Sequence, residues 1–385
     1  MEYREMKMGT GTERPSLLGF GCMRFPLTPE GQINEPEAEG LLEQAIAAGV
    51  TYIDTAYPYH EGTSEPFLGR ALKKYDRDSF YLATKLPVWK VETPEDAQAA
   101  FEEQMERLQM DHIDFYLLHG LGRDRWEKIK RLGLMDWAED LIKQGKIRHL
   151  GFSFHDEYEV FEEILTGWKW DFCQIQYNYM DRDYQAGDRG YALAEKLGVP
   201  VVVMEPVKGG MLANLPSDIS SLFTQADPER STASWAMRWA AGHPGVKVVL
   251  SGMSTPEQVK DNLETFGNFK PLSQPEMAVV ERAAQAVRSR VKNGCTGCRY
   301  CMPCPFGVNI PGSFSVWNEY AMYGNAARAK GRYWTDMKEG ERASMCQECG
   351  QCESACPQGI RIREDLKAVA RDMEAVGQFS GKPRV

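Results

Sequence analysis

Short apolar runs alternate with longer amphipathic stretches over most of the chain. Runs that suit buried strands fall at 17–21, 52–54, 80–85, 113–119, 149–153, 172–176, 200–204 and 246–250. Between them, apolar residues recur at helical spacing over 35–48, 64–74, 94–108, 124–143, 158–165, 191–197 and 232–241, with a further stretch at 256–266. The punctuation agrees: Gly49 follows the first helix, Ser64 and Thr93 stand where N-caps belong, and Gly133 interrupts the fourth helix. Eight such units in about 250 residues predict a parallel sheet closed into a (β/α)8 barrel. An open doubly wound sheet would want a Gly-rich turn after its first strand, and Gly19-Phe20-Gly21 does not complete that fingerprint. The barrel is expected over residues 1–272. The prolines at 271 and 275 mark its exit, and a helix over 276–292 leads into a second, mainly helical domain at 273–385.

A polar residue closes each of three successive apolar runs. Asp54 closes the second run, Lys85 the third and His119 the fourth, and Tyr59 follows Asp54 in a Pro-containing turn with Tyr57. The C-terminal mouth of the strands is where α/β barrels keep their chemistry. With the motifs Asp54-Thr55-Ala56-x-x-Tyr59, Glu65 and Gly69, Ala83-Thr84-Lys85 and Asp114-x-Tyr116-Leu117-Leu118-His119, residues 15–268 resemble the aldo/keto reductases. The resemblance implies an active site of Asp54, Tyr59, Lys85 and His119, and hydride transfer between NADPH and a carbonyl. The chemistry is coherent on its own terms. Hydride delivered to a carbonyl carbon leaves charge on oxygen, and that oxygen needs a proton. A free tyrosine has a pKa of about 10. A buried Lys85 ammonium is expected to lower that of Tyr59, with Asp54 holding the lysine and His119 hydrogen-bonding the carbonyl oxygen. A core ion pair, Asp54–Lys85, beside a satisfied histidine is the plain structural alternative.

The same resemblance implies a nicotinamide pocket. It places Ser153 and Gln174 at the carboxamide, and Gly252, Ser254, Gln258 and Asn262 around the adenosine phosphate at a helix N-terminus. Lys208, in the loop Glu205-Pro206-Val207-Lys208-Gly209-Gly210, is expected at the pyrophosphate. Three positions depart from the family's pattern: Phe154 replaces a frequent Asn, Met204 a frequent stacking aromatic, and Gln258 a frequent Arg. Without that Arg the choice between NADPH and NADH stays open.

Ten cysteines sharpen the reading of the second domain, because eight of them form two runs. Cys346, Cys349, Cys352 and Cys356-Pro357 have the C-x-x-C-x-x-C-x-x-x-C-P spacing of a bacterial ferredoxin [4Fe–4S] site. Cys295, Cys298, Cys301 and Cys304-Pro305 are one residue short of it. A cysteine before proline turns away from its own run. The expected ligand sets are therefore exchanged: Cys295, Cys298, Cys301 and Cys356 for one cluster, and Cys346, Cys349, Cys352 and Cys304 for the other. Zinc is the alternative, though four cysteines in ten residues fit one tetrahedral ion badly. Cys22 and Cys173 read as core residues. The whole is similar to aldo/keto reductases that carry a C-terminal iron–sulfur domain.

Charge and composition narrow the partners. A net charge of −10 disfavours nucleic acid, and no apolar run approaches the length of a membrane span. The clustered cysteines fit a reducing cytoplasm. The first reading is therefore a cytoplasmic oxidoreductase acting on a small carbonyl or alcohol with NADPH or NADH, holding two [4Fe–4S] clusters. Since a hydride brings two electrons and a cluster accepts one, the clusters would be structural, would serve a one-electron partner, or would need a flavin to couple them. The barrel's phosphate site could hold FMN, but no flavin fingerprint is visible. Two other classes remain: an electron-transfer module whose barrel feeds the clusters, and a non-catalytic redox-sensing barrel.

Overall fold

The computed structural model describes residues 1–380. The chain falls into two compact units. One is Met1–Gly209 with Ala233–Gln274, and the other is Gly210–Thr232 with the chain from Pro275 onward.

The first unit opens with an antiparallel hairpin, β1 (Met6–Met8) and β2 (Gly11–Glu13). A closed barrel of eight parallel strands follows: β3 (Leu18–Gly21), β4 (Tyr52–Asp54), β5 (Tyr81–Leu86), β6 (Ile113–Leu121), β7 (Ile147–Phe154), β8 (Phe172–Gln176), β9 (Val201–Met204) and β10 (Val246–Ser251). Neighbours in sequence pair in space, and β10 returns to β3. The helices that follow the strands are α1 (Glu35–Ala47), α2 (Ser64–Ala71), α3 (Pro94–Leu108), the pair α4 (Arg123–Leu132) and α5 (Leu134–Lys143), α6 (Tyr158–Gly167) and α7 (Gly187–Leu197). After α8 (Ser217–Ala226), which clusters with the second unit, come α9 (Thr232–Ala241) and α10 (Pro256–Gly267).

Strand periodicity explains both the core and the site. Alternate residues of a strand face the same way. Tyr52, Ala83, Phe115, Leu117, Phe172, Val202, Val248 and Leu250 thus form one apolar cluster, joined by Met6 from the hairpin. Two residues further along the same strands stand Asp54, Lys85, His119, Gln174 and Met204. One rule therefore fills the barrel with hydrocarbon below and lines its mouth with polar atoms above.

Several local expectations shift. Ser64 is the first residue of α2 rather than its cap, and its hydroxyl bonds that of Thr55 at 2.8 Å. Thr93 does cap α3, in a capping box with Asp96. Gly133 separates α4 from α5 in the left-handed region at φ 64°, where only glycine is at ease. Strand β6 runs past His119 to Leu121, with a register shift against β7 between Leu118 and Leu121. His119 thus sits at an irregularity inside the strand and not at its end.

The second unit contains α8, α11 (Gln274–Arg288), α12 (Ile310–Tyr323), α13 (Ala326–Lys330), α14 (Gln351–Ser354) and α15 (Ile362–Gly377). Ile310, Phe314 and Trp317 of α12 meet Ile362, Leu366, Val369 and Met373 of α15 in its core, around Tyr333 and Met337. Six of the cysteines pack against that core: Cys295, Cys301, Cys304, Cys346, Cys352 and Cys356. Among the described residues no helix is long and apolar enough to cross a membrane.

Candidate active site and iron–sulfur sites

Lys85 is the centre of the barrel site. It is wholly buried, and its ammonium donates to Asp54 Oδ1 at 2.7 Å, to the Thr55 carbonyl at 2.7 Å and to the Tyr59 hydroxyl at 3.5 Å. Burial alone would lower the lysine's pKa, but Asp54 and Tyr59 carry it above its usual value. Burial pushes the Asp54 carboxyl up against the pull of Lys85. The sequence-based expectation for Tyr59 needs correcting in its net direction. Burial raises the phenol's pKa, and the lowering by Lys85 only offsets part of that rise.

The histidine stands opposite, with the rings of His119 and Tyr59 6.3 Å apart. Burial first, then the charges of Lys85, His155 and Arg125, holds its pKa well below the ordinary value. The imidazole is therefore neutral at physiological pH. Its Nδ1 is buried with no partner among the described residues, as is Asp54 Oδ2. Tyr57, the competing phenol, is committed elsewhere: it donates to Glu103 at 2.7 Å and accepts from Lys90 at 3.0 Å, with Arg107 over its ring.

The support for Lys85 comes from outside the barrel wall. Glu65, fully buried on α2, accepts from Thr84, Gln104 and Arg107. Gln104 also donates to the Lys85 carbonyl at 3.1 Å. The strand carrying Lys85 is thus tied to both α2 and α3.

The expected nicotinamide residues lie further round the mouth. The Ser153 hydroxyl accepts from the Gly120 amide at 2.7 Å. Gln174 donates to the Met204 sulfur at 3.6 Å, while its buried Oε1 has no partner. Before α10, the Ser254 hydroxyl donates to the Arg24 carbonyl and its amide to Gln258 Oε1 at 2.7 Å, and Asn262 donates to Ser251. A Cβ on Gly252 would fall 2.6 Å from Arg24 Cγ, so the arginine lies directly along this loop. Lys208 points its ammonium at Asp181, at 2.5 and 2.6 Å from the two carboxylate oxygens.

The cysteines gather in two hollows, each drawing on both runs. Cys295, Cys298, Cys301 and Cys356 line one, with Pro311, Phe314 and Ile362. Cys304, Cys346, Cys349 and Cys352 line the other, which Cys301 also borders. Among the described residues no three His, Cys, Asp or Glu side chains stand close enough to share a single metal ion.

The sequence pattern of the aldo/keto reductase family matches residues 17–285. The chain belongs to the aldo/keto reductase family. A 4Fe-4S dicluster domain matches residues 294–360, so this member carries an iron–sulfur domain after its barrel. It is an NAD(P)H-dependent oxidoreductase. Glyoxal reductase of Bacillus subtilis (strain 168) is 28% identical, over 72% of this chain and 91% of its own length. The NADH-specific methylglyoxal reductase of Escherichia coli (strain K12) is 22% identical, over 74% and 99%. The holo form of aldo-keto reductase AKR11C1 from Bacillus halodurans superposes with a TM-score of 0.60 at 28% identity, covering 73% of this chain and 96% of that one.

Three residues at the reductase's site escaped the sequence reading. Trp89 packs its ring 5.1 Å from that of His119, and Arg125 lies over Trp89. Arg24 reaches the loop before α10 from the turn after β3. Arg24 and Trp89 sit in three-residue turns and Arg125 in the first turn of α4, where the apolar period does not say which polar side chain reaches the site. The one available signal was position, a few residues beyond a strand end.

Proposed function

We propose that this reductase moves a hydride between NAD(P)H and a small carbonyl–alcohol pair, with Tyr59 as the proton donor. The observation that carries this reading is the Lys85 ammonium, buried, clamped by Asp54 and Thr55, and 3.5 Å from the Tyr59 hydroxyl. As the Tyr59 proton leaves, the fixed positive charge of Lys85 stabilises the phenolate in a site shielded from water. Neutral His119 directs the carbonyl oxygen towards the same hydroxyl. The bound nicotinamide supplies the hydride. Gln174 Oε1, buried and unpaired, suits its carboxamide, with Ser153 beside it. Arg24 and the start of α10 suit the phosphates, whereas Lys208 is already neutralised by Asp181. Gln258 offers no charge to a 2′-phosphate, which favours a site that accepts either nucleotide.

The interleaved lining of the two hollows supports two [4Fe–4S] clusters. One would be held by Cys295, Cys298, Cys301 and Cys356, the other by Cys304, Cys346, Cys349 and Cys352. Clusters held there would supply one-electron chemistry towards a redox partner, or a cross-link for the second unit. The relatives named for glyoxal and methylglyoxal support small carbonyl compounds as the substrate class.

Tyr59→Phe tests the reading directly. Carbonyl reduction should fall by about 10²-fold or more, the scale of general acid catalysis. Nicotinamide binding, followed by fluorescence titration, should stay as in the wild type. A rate within a few-fold of wild type would remove Tyr59 from the chemistry.

A further inference from the structure

We infer that the carbonyl substrate bears an oxyanion, a carboxylate or a phosphate, and that Arg125 receives it. The inference rests on the hydride-transfer reading above and adds the charge of the substrate to it.

Arg125 is the third residue of α4, which begins two residues after β6, the strand that carries His119 at its register shift. Its guanidinium lies 5.3 Å from the centroid of the Trp89 ring, which in turn packs 5.1 Å from the His119 ring. An unbroken contact path therefore leads from the carbonyl-directing imidazole to the cation. The charge is felt inside the site, where Arg125 contributes to the lowered pKa of both His119 and His155. Glu205 is the carboxylate that acts on His155 from the opposite sign.

The guanidinium is only partly used. Its Nη1 donates to the Gly120 carbonyl at 2.6 Å and reaches the His119 carbonyl at 3.5 Å. Among the described residues, Nε and Nη2 have no partner and no carboxylate pairs with the group. Most arginines of this acidic chain do pair with a carboxylate, although among the described residues Arg4, Arg24 and Arg342 do not. Arg77 pairs with Asp114, Arg107 with Glu65 and Glu103, Arg189 with Glu159, and Arg123, two residues away, with Glu163. A half-buried arginine anchored by one nitrogen presents the rest of its planar fork to whatever enters. That fork matches carboxylate and phosphate oxygens.

The reaction balances with the anion as a spectator. The hydride and its two electrons pass from the reduced nicotinamide to the carbonyl carbon. The C=O π pair moves to oxygen, which takes the Tyr59 proton, and solvent restores that proton to the phenolate. Arg125 fixes the remote end of the substrate, so its contribution falls on binding and orientation.

The test uses the iron–sulfur-loaded protein, prepared anaerobically, with two matched pairs of aldehydes. Succinic semialdehyde is set against butanal, and glyceraldehyde 3-phosphate against glyceraldehyde. In Arg125→Met, the anionic-to-neutral ratio of kcat/KM should fall about 10- to 100-fold for the preferred anion, the worth of a charge-assisted pair. Arg125→Lys, which keeps the charge and the packing stem, should recover part of it. A response confined to one pair assigns the anion as carboxylate or phosphate. Unchanged ratios in both pairs, with Tyr59-dependent turnover intact, would overturn the inference and leave the hydride-transfer reading standing. If no aldehyde is reduced by the wild type, that reading fails instead. Calorimetry of the enzyme loaded with oxidised nicotinamide then still decides the matter: anion-selective binding lost in Arg125→Met supports the role of Arg125, and equal binding of the anionic and neutral aldehydes overturns it.

Discussion

At the scale of single residues, the barrel mouth keeps a charge pair, Lys85 and Asp54, buried away from water. Separating Lys85 from Asp54 would leave one buried charge uncompensated, which costs about 3–5 kcal/mol. The pair is therefore structural as well as chemical. The histidines carry a consequence for stability. Burial is the first cause of the lowered values of His119, His155 and His243. A histidine whose folded pKa lies below its unfolded value binds fewer protons in the native state. Its stabilisation is complete above about pH 6.5 and is lost as pH falls towards the folded value. The limit is about 1.36 kcal/mol per pH unit for each residue held neutral. Asp54 and Glu65, whose values burial raises, act in the opposite direction. We expect the urea midpoint to fall between pH 7.5 and 5.5 by more in the wild type than in His243→Gln, since the carboxylates are common to both. Equal falls would show that His243 titrates as freely folded as unfolded.

Among the elements, helix α2 is held tightly against α3. A Cβ on Gly69 would fall 2.4 Å from the Arg107 carbonyl oxygen and 2.9 Å from that of Leu108. Those are backbone atoms of α3, so neither can turn aside. Gly69→Ala should destabilise the fold by about 1–3 kcal/mol despite alanine's better helix propensity, read as a lower thermal midpoint with the barrel's far-UV signal intact at low temperature. A raised midpoint would mean that the two helices can separate without loss. The strands and most helices were legible in the sequence because a period of two or of 3.6 survives over enough residues to be counted. The hairpin β1–β2 was not, since three-residue strands with mostly exposed side chains carry no period. Helix α8 was missed because polar and small residues (Ser217, Asp218, Ser220, Ser221) crowd its start. Asp54 and Lys85 could be placed at strand mouths from apolar run lengths alone. Trp89 and Arg125 could not, because what brings them to His119 is the short turn after β5 and the start of α4.

For the whole molecule, the cysteine hollows make the sharpest claim. Anaerobically prepared protein should contain about eight irons and eight acid-labile sulfides per chain if both hollows hold cubanes. Cys356→Ser should damage the cluster nucleated by Cys295, Cys298 and Cys301 more than that of its own run. Cluster-resolved electron paramagnetic resonance showing the reverse would refute the exchanged pairing, and zinc in place of iron would refute both. The spacing before Pro357 leads to the same expectation from the sequence alone. The shortened first run does not, and Cys304 is placed only by the lining it shares with Cys346, Cys349 and Cys352.

The proposed joining of Cys356 to the first run would also set an order of events while the chain is being made. On the proposed pairing, the set begun at Cys295 lacks its last thiolate until residue 356 has emerged, and the set completed by Cys304 waits for the second run. Neither site can be finished early in synthesis, although the last barrel strand ends at Ser251. The reductase barrel would therefore be ready to fold while the iron-binding half is still an open chain of unpaired thiols. Iron delivery becomes the last step in maturation, and the one most exposed to oxidation.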